Sequence, residues 1–304
     1  MTLHDSEHGY YARLSSIGAR ADFSTTPTLS PILGRAVAGW LRQRGTRDLI
    51  EIGAGNGALA RAIRSALSWR ERRRLRYHIV ESSTSLRAAQ QQDLGRWPSW
   101  HESLPEALAA TSGQADLVSN ELLDAFPVRV FRREEDGWSE LHLVPGDRAL
   151  RESFLPAPEL PDSSLFDPHQ DWLPGQRLEV HQSVHHWMQD WVPGWTAGEM
   201  LTIDYGGSPA ELYRRRPAGT LRAYQHHELR TGPDLLAHPG RQDLTADVNF
   251  DDLVRWGEAL GLTTLSRSTQ REFLLPYTAG NDRDHFLTDP HGAGEAFKVL
   301  LQAR

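Results

Sequence analysis

Hydrophobic and polar positions along the chain follow two periods in alternation. Short continuous apolar runs, the pattern of strands buried on both faces, fall at about 47–52, 77–81, 115–119 and 199–203. Between them the apolar positions recur every three or four residues and predict helices at about 56–68, 83–94 and 250–259. An earlier helix starts at Ser30-Pro31, an N-cap followed by a first-turn proline, and runs to Arg44. Ile32, Leu33, Val37, Trp40 and Leu41 share one of its faces, and Gly45 stops it. Trp100–Leu104 reads as a third strand and its end. Residues 128–144 read as a hairpin turning at Asp136-Gly137. The Pro-, Asp- and Ser-rich stretch 145–176 predicts loop, 177–191 a helix broken at Pro193-Gly194, and 208–246 irregular chain. Strands at 262–267 and 297–302 close the pattern, and the basic run from Trp69 to Arg76 reads as a solvated helix end or loop.

Strands alternating with helices predict an α/β fold around a mostly parallel, doubly wound sheet. Ligands of such sheets lie beyond the C-terminal ends of the strands. That places Glu51, Glu81, Glu102, Asn120, Glu121, Asp204 and Tyr205 around one cleft. The most informative stretch is Asp48-Leu-Ile-Glu51-Ile-Gly53-Ala-Gly55-Asn56-Gly57, a strand running through an acid into a glycine turn and then a helix. Gly53 and Gly55 allow positive φ and close backbone approach to a ligand. Glu81, closing the second strand, suits ribose hydroxyls. The glycine spacing also satisfies the looser dinucleotide pattern. A carboxylate at Glu51 argues against that reading, because it would repel a pyrophosphate. It suits a cofactor carrying an ammonium and a sulfonium, so S-adenosylmethionine is expected rather than NAD.

Composition removes several alternatives. A net charge of −7 over 304 residues argues against nucleic acid as a partner. The absence of cysteine removes disulfides and thiolate metal sites. No apolar run reaches membrane-spanning length, so no membrane insertion is expected. The first residues, Met-Thr-Leu-His-Asp-Ser-Glu-His, have neither a signal core nor transit-peptide character, and a cytoplasmic protein is expected. His181 and His185 are spaced to meet a metal from one helix, but no third ligand is evident and they read as solvated. Trp172, Trp187, Trp191 and Trp195 read as the packing cluster of an insertion.

The ordered segments Asp22-Phe23-Ser-Thr-Thr26-Pro27, Glu51-Ile-Gly53-Ala-Gly55-Asn-Gly57, Val80-Glu81-Ser-Ser, Asn120-Glu121-Leu-Leu-Asp124-Ala-Phe-Pro127, Ile203-Asp204-Tyr205-Gly206, Gly219-Thr-Leu-Arg222-Ala-Tyr224, Pro239-Gly240, Asp243-Leu-Thr245-Ala246 and Phe297-Lys298-Val-Leu resemble the MidA family of S-adenosylmethionine-dependent methyltransferases. The likeness runs over nearly the whole chain and implies a class I, Rossmann-like, seven-stranded sheet with family insertions. The family includes the mitochondrial complex I assembly methyltransferase, so the resemblance implies a protein arginine acceptor on a respiratory complex subunit. The chain departs from the pattern at Ala21, Thr28, Ala54, Asn56, Asp247 and Asn249.

The expected organisation is a leader and helix over the cofactor cleft (1–45), the first part of the core (46–131), an insertion (132–197) and the second part of the core (198–304). The last carries a substrate-side insertion at 208–246. The expected cofactor set is Glu51, Gly53, Gly55 and Gly57 for the methionine moiety, Glu81 and Ser82 for the ribose, Glu102 and Ser103 for adenine, with Asn120 and Thr26 beside them. Asn120, Glu121, Asp204 and Tyr205 are the catalytic candidates, with Glu121 orienting a guanidinium. The alternatives are a small-molecule N- or O-methyltransferase on the same scaffold and a non-catalytic assembly factor that keeps the pocket.

Overall fold

The computed structural model describes residues 25–146, 150–225, 228–230, 232, 235 and 242–304. The Asp22-Phe23 and Pro239-Gly240 segments lie outside the described residues. The strands in chain order are β1 Asp48–Ile52, β2 Arg76–Val80, β3 Pro98–His101, β4 Asp116–Asn120, β5 Arg129–Glu134, β6 Gly137–Pro145, β7 Leu150–Pro156 and β8 Arg177–Val180. They continue as β9 Glu199–Gly207, β10 Arg222–Gln225, β11 Glu228–Arg230, β12 Asp243–Thr245, β13 Val248–Asn249, β14 Thr263–Thr269 and β15 Phe297–Ala303.

The main sheet runs β3-β2-β1-β4-β9-β15-β14, with the two-residue β13 added alongside the end of β9. β3, β2, β1, β4 and β9 are parallel, and β15 lies antiparallel between β9 and β14. This is the seven-stranded class I methyltransferase order, extended by one short strand. β1 is buried on both faces, which is why it reads as a continuous apolar run. Leu49 faces a cluster with Ile32, Leu33, Val37 and Ile63, while Ile50 and Ile52 face one with Leu104, Val184, Trp191 and Trp256. Helices therefore cover both sides of the sheet. Among the described residues, no helix is long and apolar enough to cross a membrane.

The structure departs from the sequence expectation in several places. The third strand ends at His101, and Ser103 instead caps a helix, Leu104–Ala110. The stretch read as loop contains β7, which pairs with β6 from Ser139 to Pro145. Residues 177–180 form β8 rather than the start of a helix, because β5 pairs with them from Arg129↔Val180 to Arg132↔Arg177, a contact distant in sequence; the helix begins at Gln182. The segment read as irregular carries β10, β11 and β12, a small sheet beside the C-terminal ends of β4 and β9. Trp172 also leaves the expected tryptophan cluster. It packs on Tyr213 at 5.6 Å between centroids, in a separate core around Phe131 and Leu178. Trp187, Trp191 and Trp195 do pack against one another in sequence, as tilted ring pairs at 5.4 and 5.8 Å between centroids.

Candidate active site

A cavity of about 750 Å³ opens beyond the C-terminal ends of β1, β2, β3, β4 and β9. One half is built by the turn after β1. Gly53, Gly55 and Gly57 all have positive φ, at 72°, 53° and 74°. At Gly53 a Cβ would meet only the end of the Leu122 side chain, 2.7 Å from Cδ1, so the positive φ is what calls for glycine there. Gly53 and Gly55 line the cavity; Gly57 caps the helix Ala58–Ala66 just behind it.

Glu51 lines the floor, fully enclosed, with Oε2 accepting from the Tyr77 hydroxyl at 2.7 Å. Burial pushes its carboxyl up to about 7, against the opposing Tyr77 bond. Glu81 accepts from Ser83 N at 2.9 Å and from Gln90 Nε2 at 3.1 Å, and burial raises it too. Ser82, Glu102 and Ser103 line the wall beyond it. Glu102 is exposed and pairs with Arg87 at 3.4 Å.

The second half is built by the end of β4. Glu121 lies in the left-handed region at φ 52°, a conformation that costs a non-glycine residue roughly 1–2 kcal/mol. Asp204 holds this turn: its Oδ2 accepts from Leu122 N at 3.1 Å and Leu123 N at 2.8 Å, and its Oδ1 from Tyr205 N at 2.9 Å. Asp204 thus stands behind the wall, whereas Asn120, Glu121 and Tyr205 are in it. Thr26 stands behind it as well, between Thr25 and Pro27, which do line the cavity. Burial raises Glu121 to about 8, helped by the charge of Asp124, and raises Asp204 to about 7. Asp124 is raised by burial and by Asp204 and Asp243.

Residues that the strand-end argument alone does not single out complete the site. Phe126 and Trp187, in contact at 5.4 Å, and Trp191 line one side. Arg222, Tyr224, Asp243 and Thr245 line the other. The Arg222 guanidinium lies over the Tyr205 ring, 5.4 Å from its centroid, and pairs with Asp247. Glu179 fixes the segment before it, accepting from Thr220 N and Oγ1, both at 2.9 Å, and from the Tyr213 hydroxyl at 3.1 Å. The family resemblance covers the Arg222, Tyr224, Asp243 and Thr245 segments; for Trp187 and Trp191 the tryptophan spacing is the sequence signal.

His181 is not solvated. It is buried, with both ring nitrogens unpartnered, and burial lowers it to about 4. His185 stacks on Trp256 at 4.8 Å. Among the described residues, no group of three or more His, Cys, Asp or Glu could hold a metal.

This donor set fits S-adenosylmethionine. Buried acids at Glu51 and Glu121 suit a cation, and Asn120 Oδ1, buried and without a partner, can accept a hydrogen bond. Residues 32–268 match a family model described as "Putative S-adenosyl-L-methionine-dependent methyltransferase". The chain belongs to the MidA family of S-adenosylmethionine-dependent methyltransferases.

Among solved structures, it is similar to a superfamily member from Burkholderia thailandensis bound to S-adenosyl-homocysteine. The TM-score is 0.86 and the identity 29%, covering all of this chain and 85% of that one. Among curated proteins, it is 27% identical to the protein arginine methyltransferase NDUFAF7 homolog, mitochondrial, of Drosophila melanogaster, over 98% of this chain and 78% of that protein. It is 26% identical to mitochondrial NDUFAF7 of Mus musculus, over 98% of this chain and 73% of that protein. The MidA-family chain is therefore an S-adenosylmethionine-dependent methyltransferase. The expectation of a cytoplasmic protein is overturned: the curated relatives are named as mitochondrial proteins.

Proposed function

We propose that this methyltransferase transfers its methyl group to a guanidinium nitrogen of a protein arginine, with Glu121 orienting the acceptor. The carrying observation is the acceptor half of the cavity, where Glu121, Asp124 and Asp243 stand with Tyr205 and Tyr224. Carboxylates beside aromatic faces are the surroundings a guanidinium selects. The same wall already holds one in this manner, Arg222 between Asp247 and the Tyr205 ring. The names of the curated relatives support the same acceptor. A respiratory complex subunit is the acceptor protein that the family resemblance implies.

The bound cofactor supplies a methyl group on a positively charged sulfur, already a good leaving group. The protein's work is alignment and proton handling. Glu51 holds the ammonium of the methionine moiety, and Glu81 the ribose. Glu121 hydrogen-bonds the acceptor guanidinium and keeps one nitrogen directed at the methyl carbon. As the N–C bond forms, the sulfur keeps the electron pair of the broken S–C bond, and the nitrogen gives up a proton to the carboxylate cluster. Holding both partners in line can contribute about 7–11 kcal/mol.

The test is incubation of the purified chain with methyl-labelled S-adenosylmethionine and a mitochondrial protein extract, followed by acid hydrolysis of the protein. Label in methylarginine is expected. Label confined to the small-molecule fraction would move the assignment to a metabolite acceptor. Cofactor binding with no transfer would favour the non-catalytic reading.

A further inference from the structure

The helix Trp69–Arg74 is at odds with the economy of the rest of the fold. None of its residues is buried, so it contributes nothing to the core. It is nonetheless held firmly. Ser68 and Glu71 form a reciprocal capping box, and Arg42 grips Glu71 with Nε at 2.7 Å while its Nη2 donates to Ala66 O at 2.8 Å. Leu67 and Leu75, on either side, are buried anchors.

What this helix displays is a concentrated positive surface on a chain of net charge −7. Arg70, Arg72, Arg73 and Arg74 are exposed, and Arg47 joins them from the residue before β1. None of the five is in an ion pair among the described residues. Trp69 is 61% exposed, with the Arg70 guanidinium 5.3 Å from its ring centroid. The neighbouring Arg42, Arg44 and Arg76 are each committed to an acid of this chain, so the five form a distinct uncommitted set. The patch lies at the N-terminal ends of β1 and β2, whereas the cofactor cavity lies beyond the C-terminal ends of the same strands.

We infer that Trp69, Arg47, Arg70, Arg72, Arg73 and Arg74 form a docking surface for an acidic segment of a partner protein, remote from the methyl-transfer cavity. The chemistry selects the occupant. Guanidinium groups bind carboxylates in paired hydrogen bonds, and an exposed indole beside them takes an apolar or aromatic side chain. An acidic segment would be repelled by much of this acidic chain and steered to this uncommitted basic face.

The probe is a fluorescent peptide in which glutamates flank a phenylalanine, titrated with the full chain and read by anisotropy. The comparison variant is R70E/R72E/R73E/R74E, with R72Q/R73Q/R74Q as a milder second. Binding should weaken about tenfold or more in the charge-reversed variant and severalfold in the neutralised one, and fall as salt rises toward ~0.15 M. Trp69→Ala should weaken it severalfold, and Trp69 emission should shift when peptide binds. S-adenosylhomocysteine binding and the unfolding temperature should stay unchanged in the neutralised variant, showing that the fold and the cavity are intact. Equal binding by wild type and variants, or none, would overturn the inference. Tighter variant-sensitive binding to anionic vesicles or duplex DNA than to the peptide would also overturn it.

Discussion

The backbone N–H of Thr26 donates to Oε1 of Glu121 at 2.8 Å, joining positions 95 residues apart. Asn120 Nδ2 donates to the same oxygen at 3.0 Å. The segment before the first long helix is thereby tied to the catalytic candidate, and Glu121 is fixed from both its own strand end and the opposite wall. Glu121→Gln retains a carbonyl oxygen for these two donors while removing the charge. Turnover should fall about 100-fold or more, with S-adenosylhomocysteine affinity within about threefold of wild type. Steady-state kinetics with labelled cofactor, alongside calorimetric titration, measures both. An equal loss in cofactor binding would assign Glu121 to the cofactor instead.

Cofactor affinity should depend on pH through Glu51. Its carboxyl titrates near 7 in the free protein because it is buried, and the cationic cofactor needs it ionised. Affinity should therefore be highest above pH 7 and fall, approaching tenfold per unit, as pH drops below it. Binding at neutral pH should release protons, visible as a dependence of the calorimetric heat on buffer ionisation. Glu51→Gln should bind more weakly at pH 8 and lose most of this dependence. A flat profile in the wild type would show that Glu51 does not meet the cation.

The same groups make a stability prediction of definite sign. Glu51 at about 7, Glu121 at about 8 and Asp204 at about 7 all titrate above their ordinary range in the folded protein. The folded state therefore binds more protons than the unfolded state in this window. The stability these three groups contribute to the cofactor-free protein is fully present below the ordinary carboxylate range, declines above it and is lost as pH rises through 7 to 8. Glu121→Gln should be more stable than wild type at pH 8.5, by about 2 kcal/mol, and close to it at pH 5. Thermal unfolding at the two pH values gives the comparison.

Gly34 tests the packing of the helix Ile32–Arg44 on Ala58–Ala66. Helix propensity favours alanine over glycine by about 1 kcal/mol. A Cβ at this position, however, would overlap Ala62 Cβ and lie 2.7 Å from Ile63 N. Gly34→Ala should be destabilising by about 1–3 kcal/mol, because the close approach outweighs propensity. Denaturant unfolding with a stability gain would show that the two helices can separate freely.

Much of this architecture was legible because the strands of the main sheet are buried on both faces and β1 ends in a glycine turn that few other structures require. The strand-end rule brought Glu51, Glu81, Glu102, Asn120, Glu121 and Tyr205 to one cavity wall. What escaped depends on contacts distant in sequence. β8 has its apolar residues at Leu178 and Val180, the alternation of a strand, but two such positions running straight into a helix are too few to set it apart, and only its pairing with β5 decides. Thr26 carries motif identity, yet its part is a backbone donation to Glu121, invisible without knowing that the two segments meet. Asp204 is likewise recognisable as a strand-end acid, but its three backbone partners emerge only once the Glu121 turn is placed.

The most direct measurement of the central claim is the position of the thioether sulfur in crystals grown with S-adenosylhomocysteine. A methyl carbon, an attacking nitrogen and one hydrogen bond must fit between that sulfur and the Glu121 carboxylate. The account therefore predicts a separation of roughly 6–8 Å, with the sulfur facing Tyr205 and Tyr224. A sulfur turned away from Glu121, or screened from it by Leu122, would contradict it.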